Sequence, residues 1–79
     1  MDNNQILINA FVDSLRIKDS LVKDELSYNE IPQWDSLAHM TLVAKIEEEF
    51  DVMLDTNEIL DMSSVKMIKD ILTNHGIIF

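Results

Sequence analysis

The stretch with the clearest chemical potential is Trp34-Asp35-Ser36-Leu37, in which a serine directly follows a carboxylate. Asp35 is a good N-cap residue, because its side chain can accept a hydrogen bond from a backbone N–H of the first helical turn. Ser36 is then the first helical residue, where free N–H groups and the helix dipole favour an attached anion. This placement favours a serine that carries a phosphate group, although on its own it also fits an ordinary helix-start residue.

Hydrolysis by a serine nucleophile is a second chemistry to consider, and it needs a serine, a histidine and an acid that the fold brings together. Ser36 and His39 lie within one helical turn, and the chain has no Gly-x-Ser-x-Gly sequence. A chain of 79 residues leaves little else from which to build a substrate pocket and an oxyanion hole. We therefore predict no catalytic residues and no enzymatic activity, with His39 as a partly exposed helix residue within a partner's reach.

Metal binding is weakly indicated. The acidic residues between 51 and 61 do not match the calcium-binding pattern Asp-x-Asp-x-Asp-Gly, and its required glycine is absent. The chain has no cysteine, which excludes disulfides and thiolate metal sites. We predict no metal site, and clustered carboxylates leave only weak divalent binding open.

The composition predicts one small helical domain, residues 1–79. Hydrophobic residues make up 47% of the chain, and with Gly 1 and Pro 1 a barrel or sandwich with many tight turns is not expected. The net charge of −9 repels nucleic acids and anionic membranes, and it suits either basic protein partners or solubility alone. The N-terminal residues lack the basic region of a signal peptide, and no apolar run approaches the ~20 residues of a membrane span. We therefore expect a cytoplasmic monomer.

Helical periodicity predicts four helices that position Ser36. They cover about residues 4–16, 36–50, 56–61 and 64–73, the third being short. The second carries apolar residues that we expect to form one inward stripe, namely Leu37, Met40, Val43, Ala44, Ile46 and Phe50. Ile59 and Leu60 are expected to point from the third helix to the core, Ser63 or Ser64 to cap the fourth, and His75 and Gly76 to stop it.

The connection from Arg16 to Gln33 is long for a small domain. Its apolar residues Leu26, Tyr28 and Ile31 are spaced too regularly for a free linker, so we expect their side chains to pack into the core. Trp34, at the end of the connection, fits a hydrophobic staple that packs near Ala38, or a platform beside an attached group.

Taken together, these features resemble the acyl carrier protein family. The resemblance covers roughly Ile6 to Leu72 and is strongest from Asp35 to Val65: Asp-Ser-Leu opens a long helix that ends in Glu-Glu-Glu-Phe, and a loop and a short helix follow. It implies an all-α, four-helix acyl-carrier-like bundle with a long loop after the first helix. It also implies that Ser36 carries 4′-phosphopantetheine, which a phosphopantetheinyl transferase takes from coenzyme A with Mg²⁺.

The resemblance further implies roles for other residues. The thiol of the arm holds an acyl group as a thioester for acyl-loading and acyl-processing enzymes with basic docking patches. Asp35 serves as N-cap and transferase contact, and the partner-binding residues are expected to be Leu37, Met40, Thr41, Glu47, Glu48 and Glu58. The acyl pocket is expected between the second and third helices, beside Met40, at Ala44, Ile46, Leu54, Ile59, Met62 and Ile68.

The sequence departs from housekeeping fatty-acid carriers. Those carriers commonly have Gly-x-Asp-Ser-Leu and acidic residues just after the leucine, whereas this chain has Gln33-Trp34 before Asp35, and Ala38 and Thr41 after it. Ile59 and Ile68 replace residues that are commonly alanine, which predicts a shallow pocket and a short or polar cargo. A stand-alone carrier of a dedicated biosynthetic pathway is therefore expected. The alternatives are an aminoacyl or peptidyl carrier, and a helical adaptor without a prosthetic group.

Overall fold

Four helices make up the ordered framework of the protein in a computed structural model that describes residues 2–79; Met1, the first residue of the N-terminal stretch considered above, lies outside them. The helices are α1 Asn3–Leu15, α2 Ser36–Phe50, α3 Thr56–Asp61 and α4 Val65–Asn74. Within the described part of the chain there is no β-strand, only one isolated bridge between Ser27 and Ser64. The all-α fold, the long loop after α1 and the short third helix are as predicted. No helix of residues 2–79 is long and apolar enough to cross a membrane.

Each helix begins at a side-chain cap. Asp2, Asp35, Asp55 and Ser64 each accept a hydrogen bond from the backbone N–H three residues further on. At α3 the bond is reciprocal, because Glu58 also accepts from the N–H of Asp55, which completes a capping box. These local signals explain why α2 begins at the predicted residue, since a cap acts within one turn of its own position.

Three of the four helices, α1, α2 and α4, end close to a residue in the left-handed conformation. Arg16 has φ 57° and stops α1, so that helix runs one residue earlier than predicted at both ends. At α4, Gly76 has φ 93°, its N–H donates to Thr73, and the N–H of Ile77 donates to Leu72. This pair of bonds is a Schellman motif, and it confirms the predicted stop at Gly76.

The buried face of α2 is not the one that the sequence suggested. Its buried side chains recur at helical spacing as His39, Leu42, Val43, Ile46 and Phe50. The predicted stripe was wrong for three residues: Leu37 and Met40 are 77% and 54% exposed, and Ala44 is also exposed. Apolar residues occupy two adjacent faces of α2, so periodicity alone does not say which face meets the rest of the bundle.

The long connection after α1 packs closely against the start of α4. The N–H groups of Val65 and Lys66 donate to the carbonyls of Leu26 and Asp24, and Tyr28 N–H donates to the carbonyl of Ser63. The loop therefore accepts bonds from N–H groups that a helix start leaves unpaired. Leu26 is buried and Tyr28 and Ile31 pack against the core, as predicted.

The C-terminal residues fold back on the bundle. Ile77 packs against the core, and the ring of Phe79 lies 6.1 Å from that of Phe50 in an edge arrangement. The side-chain amide of Asn3 donates to the carbonyl of Ile78 at 2.9 Å. The tail therefore packs against the opposite end of α2 from Ser36.

Candidate functional site

Ser36 is exposed as the first residue of α2. Asp35 before it has an extended backbone, and its carboxylate accepts the N–H of Ala38 at 2.9 Å, as the sequence predicted. The Ser36 hydroxyl makes no hydrogen bond to any other group of residues 2–79. The hydroxyl is thus free to react, and it stands where a helix favours negative charge.

An open cavity of about 260 Å³ lies beside Ser36, between α2 and α3. Its other lining residues are mostly apolar: Tyr28, His39, Met40, Ile59, Leu60, Met62 and Ser63. Met40 stands one helical turn beyond Ser36, and Leu60 is 75% exposed. A group attached to Ser36 could therefore lie against an apolar surface without entering the core.

Trp34 and His39 form the wall between this cavity and the core. Trp34 is fully buried, its indole N–H donates to Nδ1 of His39 at 3.0 Å, and the two rings stack at 27°. The edge of Phe11 packs on the indole at 5.1 Å. The two residues occupy the positions of a hydrophobic staple, N′ and N4. The staple interpretation thus holds with His39 as the partner, where Ala38 was expected, and His39, predicted to be partly exposed, is only 9% exposed.

The hydrogen bonds of His39 assign its tautomer. An indole N–H can only donate, so Nδ1 must accept and the ring proton must lie on Nε2. Nε2 is 3.0 Å from the carbonyl of Ile59, to which it therefore donates. That carbonyl lies in the last turn of α3 and otherwise accepts only the N–H of Met62, at 3.3 Å. His39 thus joins α2, α3 and the loop residue Trp34.

Two of the carboxylates predicted to contact partners are engaged inside the protein. Glu47 accepts the N–H of Leu54 at 3.0 Å and holds the loop before α3. Glu58 accepts the N–H of Asp55 at 3.1 Å with one oxygen and lies 2.6 Å from Nε2 of His75 with the other. His75 therefore ends α4, as predicted, and also tethers α3 to it.

The other predicted partner residues lie on the open side of α2. Thr41 and Glu48 are exposed, and the Thr41 hydroxyl donates to the carbonyl of Leu37 at 3.3 Å. Leu37, Met40 and, across the cavity, Leu60 form an exposed apolar patch, which we call the rim patch. Exposed apolar groups that cluster in this way are typical of interaction surfaces.

The predicted acyl-pocket residues are divided by the fold. Met40, Ile59 and Met62 line the cavity. None of the other four lines it: Ile46 and Ile68 are fully buried in the core, Leu54 is buried before α3, and Ala44 is on the surface. Tyr28 and Leu60 were not predicted to line the cavity. Leu60 was wrongly expected in the core, because a helix of six residues gives too few turns to define its inner face.

No protein-family model matches the chain. Within residues 2–79, no three histidine or acidic side chains lie close enough together to hold a metal ion. The resemblance to acyl carriers therefore depends on Asp35, Ser36 and Leu37 and on the helices that follow them.

Proposed function

We propose that this protein is an acyl carrier whose Ser36 bears 4′-phosphopantetheine. The observation that supports the proposal is the combination at one point of a free, exposed hydroxyl, a helix N-terminus and an apolar cavity. An autonomous hydrolase has no support from the same residues. His39, the histidine nearest in sequence, is committed by both nitrogens to Trp34 and Ile59 and has none left to act as a base for Ser36.

The residues around Ser36 suit such a prosthetic group. The phosphodiester would lie at the positive end of α2, whose first N–H groups have no partner within the helix. The cavity beside it offers Met40 and Leu60 as apolar contacts for the far end of the arm. When attached, the group supplies a thiol that forms thioesters. The chain itself has no cysteine and therefore no thiol of its own.

The chain's own residues then have separate roles. Ser36 Oγ is the point of attachment, and Asp35 keeps it at the first helical position by capping Ala38. The transferase supplies the base that removes the hydroxyl proton. The rim patch, with exposed Glu48 and Thr41 on the same helix, is the surface that partners would contact. Partners with an apolar centre and basic surroundings fit it best.

Intact mass spectrometry tests the proposal directly. The purified apo protein is incubated with coenzyme A, Mg²⁺ and a broad-specificity phosphopantetheinyl transferase. We expect the mass to rise by one phosphopantetheinyl group and by no more. A mass that stays unchanged with an active transferase would contradict the carrier function. It would leave the helical adaptor, which the rim patch alone could also support.

Charge reversal at Glu48 should weaken transferase binding. Glu48 is exposed and makes no ion pair within the described residues, so Glu48→Lys changes the field of the docking face without removing an internal bond. We expect the transferase KM to rise about 3- to 10-fold at low salt, and the difference to shrink with added NaCl as charges are screened over ~8 Å. Steady-state modification rates at several salt concentrations measure both effects.

The matched control is Glu25→Lys, another exposed carboxylate, on the connection after α1. It changes the net charge by the same amount away from the rim patch. Glu47→Lys is unsuitable, because it would also remove the bond to Leu54 N–H. Equal effects of the two reversals would show that only net charge matters, and no effect of Glu48→Lys would remove this residue from the interface.

A further inference from the structure

We infer that His39 determines cargo specificity, because its imidazole closes the seam between α2 and α3 and keeps the cargo on the outer cavity. The cargo part of this inference rests on the proposed function, whereas the closed seam does not. His39 takes no part in attaching the prosthetic group; its role would be to limit where the cargo can go. It also predicts the substrate class, namely acyl groups short enough to be covered by Met40 and Leu60.

The first support is that the imidazole is held at both ends. Nδ1 accepts from Trp34 and Nε2 donates to the carbonyl of Ile59, each at 3.0 Å. The ring therefore spans the distance from the buried loop residue to α3 and cannot rotate without losing a bond. The edge of Tyr28 packs against it, with ring centroids 5.3 Å apart.

The second support is the position of the ring relative to the cavity. His39 and Tyr28 line the cavity, whereas Trp34 behind them does not and is fully buried. The seam between α2 and α3 is therefore blocked at this level by a polar group with both hydrogen bonds made. An acyl chain that displaced the ring would leave the Trp34 N–H without an acceptor and the Ile59 carbonyl with only the longer bond from Met62, so the lost hydrogen bonds oppose its entry.

The third support is that the core behind Trp34 and His39 has no open space for a longer chain. Ile46 and Ile68 are fully buried and belong to the core rather than to any open space. A longer chain gains nothing from the closed interior and extends into solvent past the exposed Leu60. The cavity therefore offers apolar contacts to a short acyl group, and each further methylene of a longer chain gains no additional contact.

A free alkyl probe tests the closed seam without any modification of Ser36. 1-Octanol is titrated into the unmodified wild-type protein and into His39→Ala, with the melting temperature and the emission of Trp34, the single tryptophan, as readouts. In His39→Ala the space left by the imidazole joins the outer cavity, so we expect a rise of about 4 °C or more and a shift in Trp34 emission. In the wild type, octanol can reach only the outer cavity, so we expect a smaller rise and no shift in Trp34 emission.

The acylated forms test the cargo. Hexanoyl and decanoyl phosphopantetheine are attached to Ser36 from the corresponding acyl coenzymes A: Ser36 Oγ forms the new bond to phosphorus, 3′,5′-ADP leaves, and the transferase takes the proton. In the wild type, the decanoyl form should melt no higher than the hexanoyl form. In His39→Ala, decanoylation should raise the melting temperature above that of the hexanoyl form.

Two further variants control for damage to the fold. His39→Asn can retain an acceptor near Trp34 but is too short to reach Ile59, so it should open the seam with less loss of stability. Met40→Ala removes one contact of the outer cavity and leaves the wall intact. It should therefore reduce the gain from hexanoylation and, as in the wild type, leave Trp34 emission unchanged by octanol.

The outcomes separate the two claims. A wild type whose Trp34 emission shifts with octanol, or which is stabilised more by decanoylation than by hexanoylation, overturns the closed seam. The same holds if neither His39→Ala nor His39→Asn responds differently from the wild type. Failure to modify Ser36 at all would refute the carrier function, and the octanol titration would still decide whether His39 closes the seam.

Discussion

Replacement of Ser36 by alanine is expected to abolish phosphopantetheine addition completely, while replacement of Ser63 leaves it at the wild-type level. Both hydroxyls are exposed and line the same cavity, but only Ser36 stands at the N-terminus of α2. An ester to phosphorus needs the side-chain oxygen, so its loss removes the reaction rather than slowing it. Intact mass before and after incubation with coenzyme A and transferase measures the result.

The fold should survive this substitution. The Ser36 hydroxyl makes no hydrogen bond within residues 2–79, and the cap of α2 is provided by Asp35. An exposed substitution of this kind changes the free energy of unfolding by less than about 0.5 kcal/mol. The melting temperatures of Ser36→Ala and wild type should therefore agree within about 4 °C. Modification of Ser36→Ala, or loss of modification in Ser63→Ala, would show that the attachment residue has been misassigned.

The largest loss of stability is expected from Trp34→Ala. The indole is fully buried against Phe11 and donates to His39, so the substitution leaves a cavity and removes the donor to Nδ1. Truncation of a buried tryptophan costs about 3–5 kcal/mol, out of the ~5–15 kcal/mol that stabilise a typical domain. The melting temperature should fall by about 12 °C or more, measured by circular dichroism at 222 nm.

Trp34→Phe separates the hydrogen bond from the packing. The phenyl ring can keep the contact with Phe11, but it leaves Nδ1 of His39 without its donor, which should cost about 1–3 kcal/mol. The double variant Trp34→Phe/His39→Leu removes both polar groups, and the Ile59 carbonyl keeps the N–H of Met62 at 3.3 Å. Its loss should be smaller than the sum of the two single losses. Strict additivity would mean that the two rings contribute independently.

Local signals in the sequence were sufficient to predict where the helices start. Asp35, Asp55 and Ser64 act on an N–H only three residues away, and Gly76 takes a positive φ that few other residues adopt. Such interactions need no partner from a distant part of the chain. The position of Ser36 at the start of α2 was therefore predictable, and so was the short α3.

The orientation of each helix was decided by tertiary structure. Leu37, Met40 and Ala44 are as apolar as the residues of the buried face, and the choice between the faces depends on what packs against α2. Leu60 turned out to be exposed for the same reason, since α3 is too short for a periodic pattern. In the sequence Glu47 is indistinguishable from other surface carboxylates. Its role depends on the loop before α3, which places the N–H of Leu54 beside it.

His39 shows most clearly what could not be predicted from the sequence. Its position four residues after the N-cap is visible in the sequence, and a histidine there is ordinarily read as half-exposed. Its burial depends on Trp34, which is near in sequence, but also on Ile59, which lies 20 residues further along the chain. A sequence pattern records neighbours within a turn or two, whereas a buried polar side chain needs every partner in place. The position of Ser36 at a helix start could thus be located from the sequence alone, but the wall between its cavity and the core arises only when α3 packs against α2.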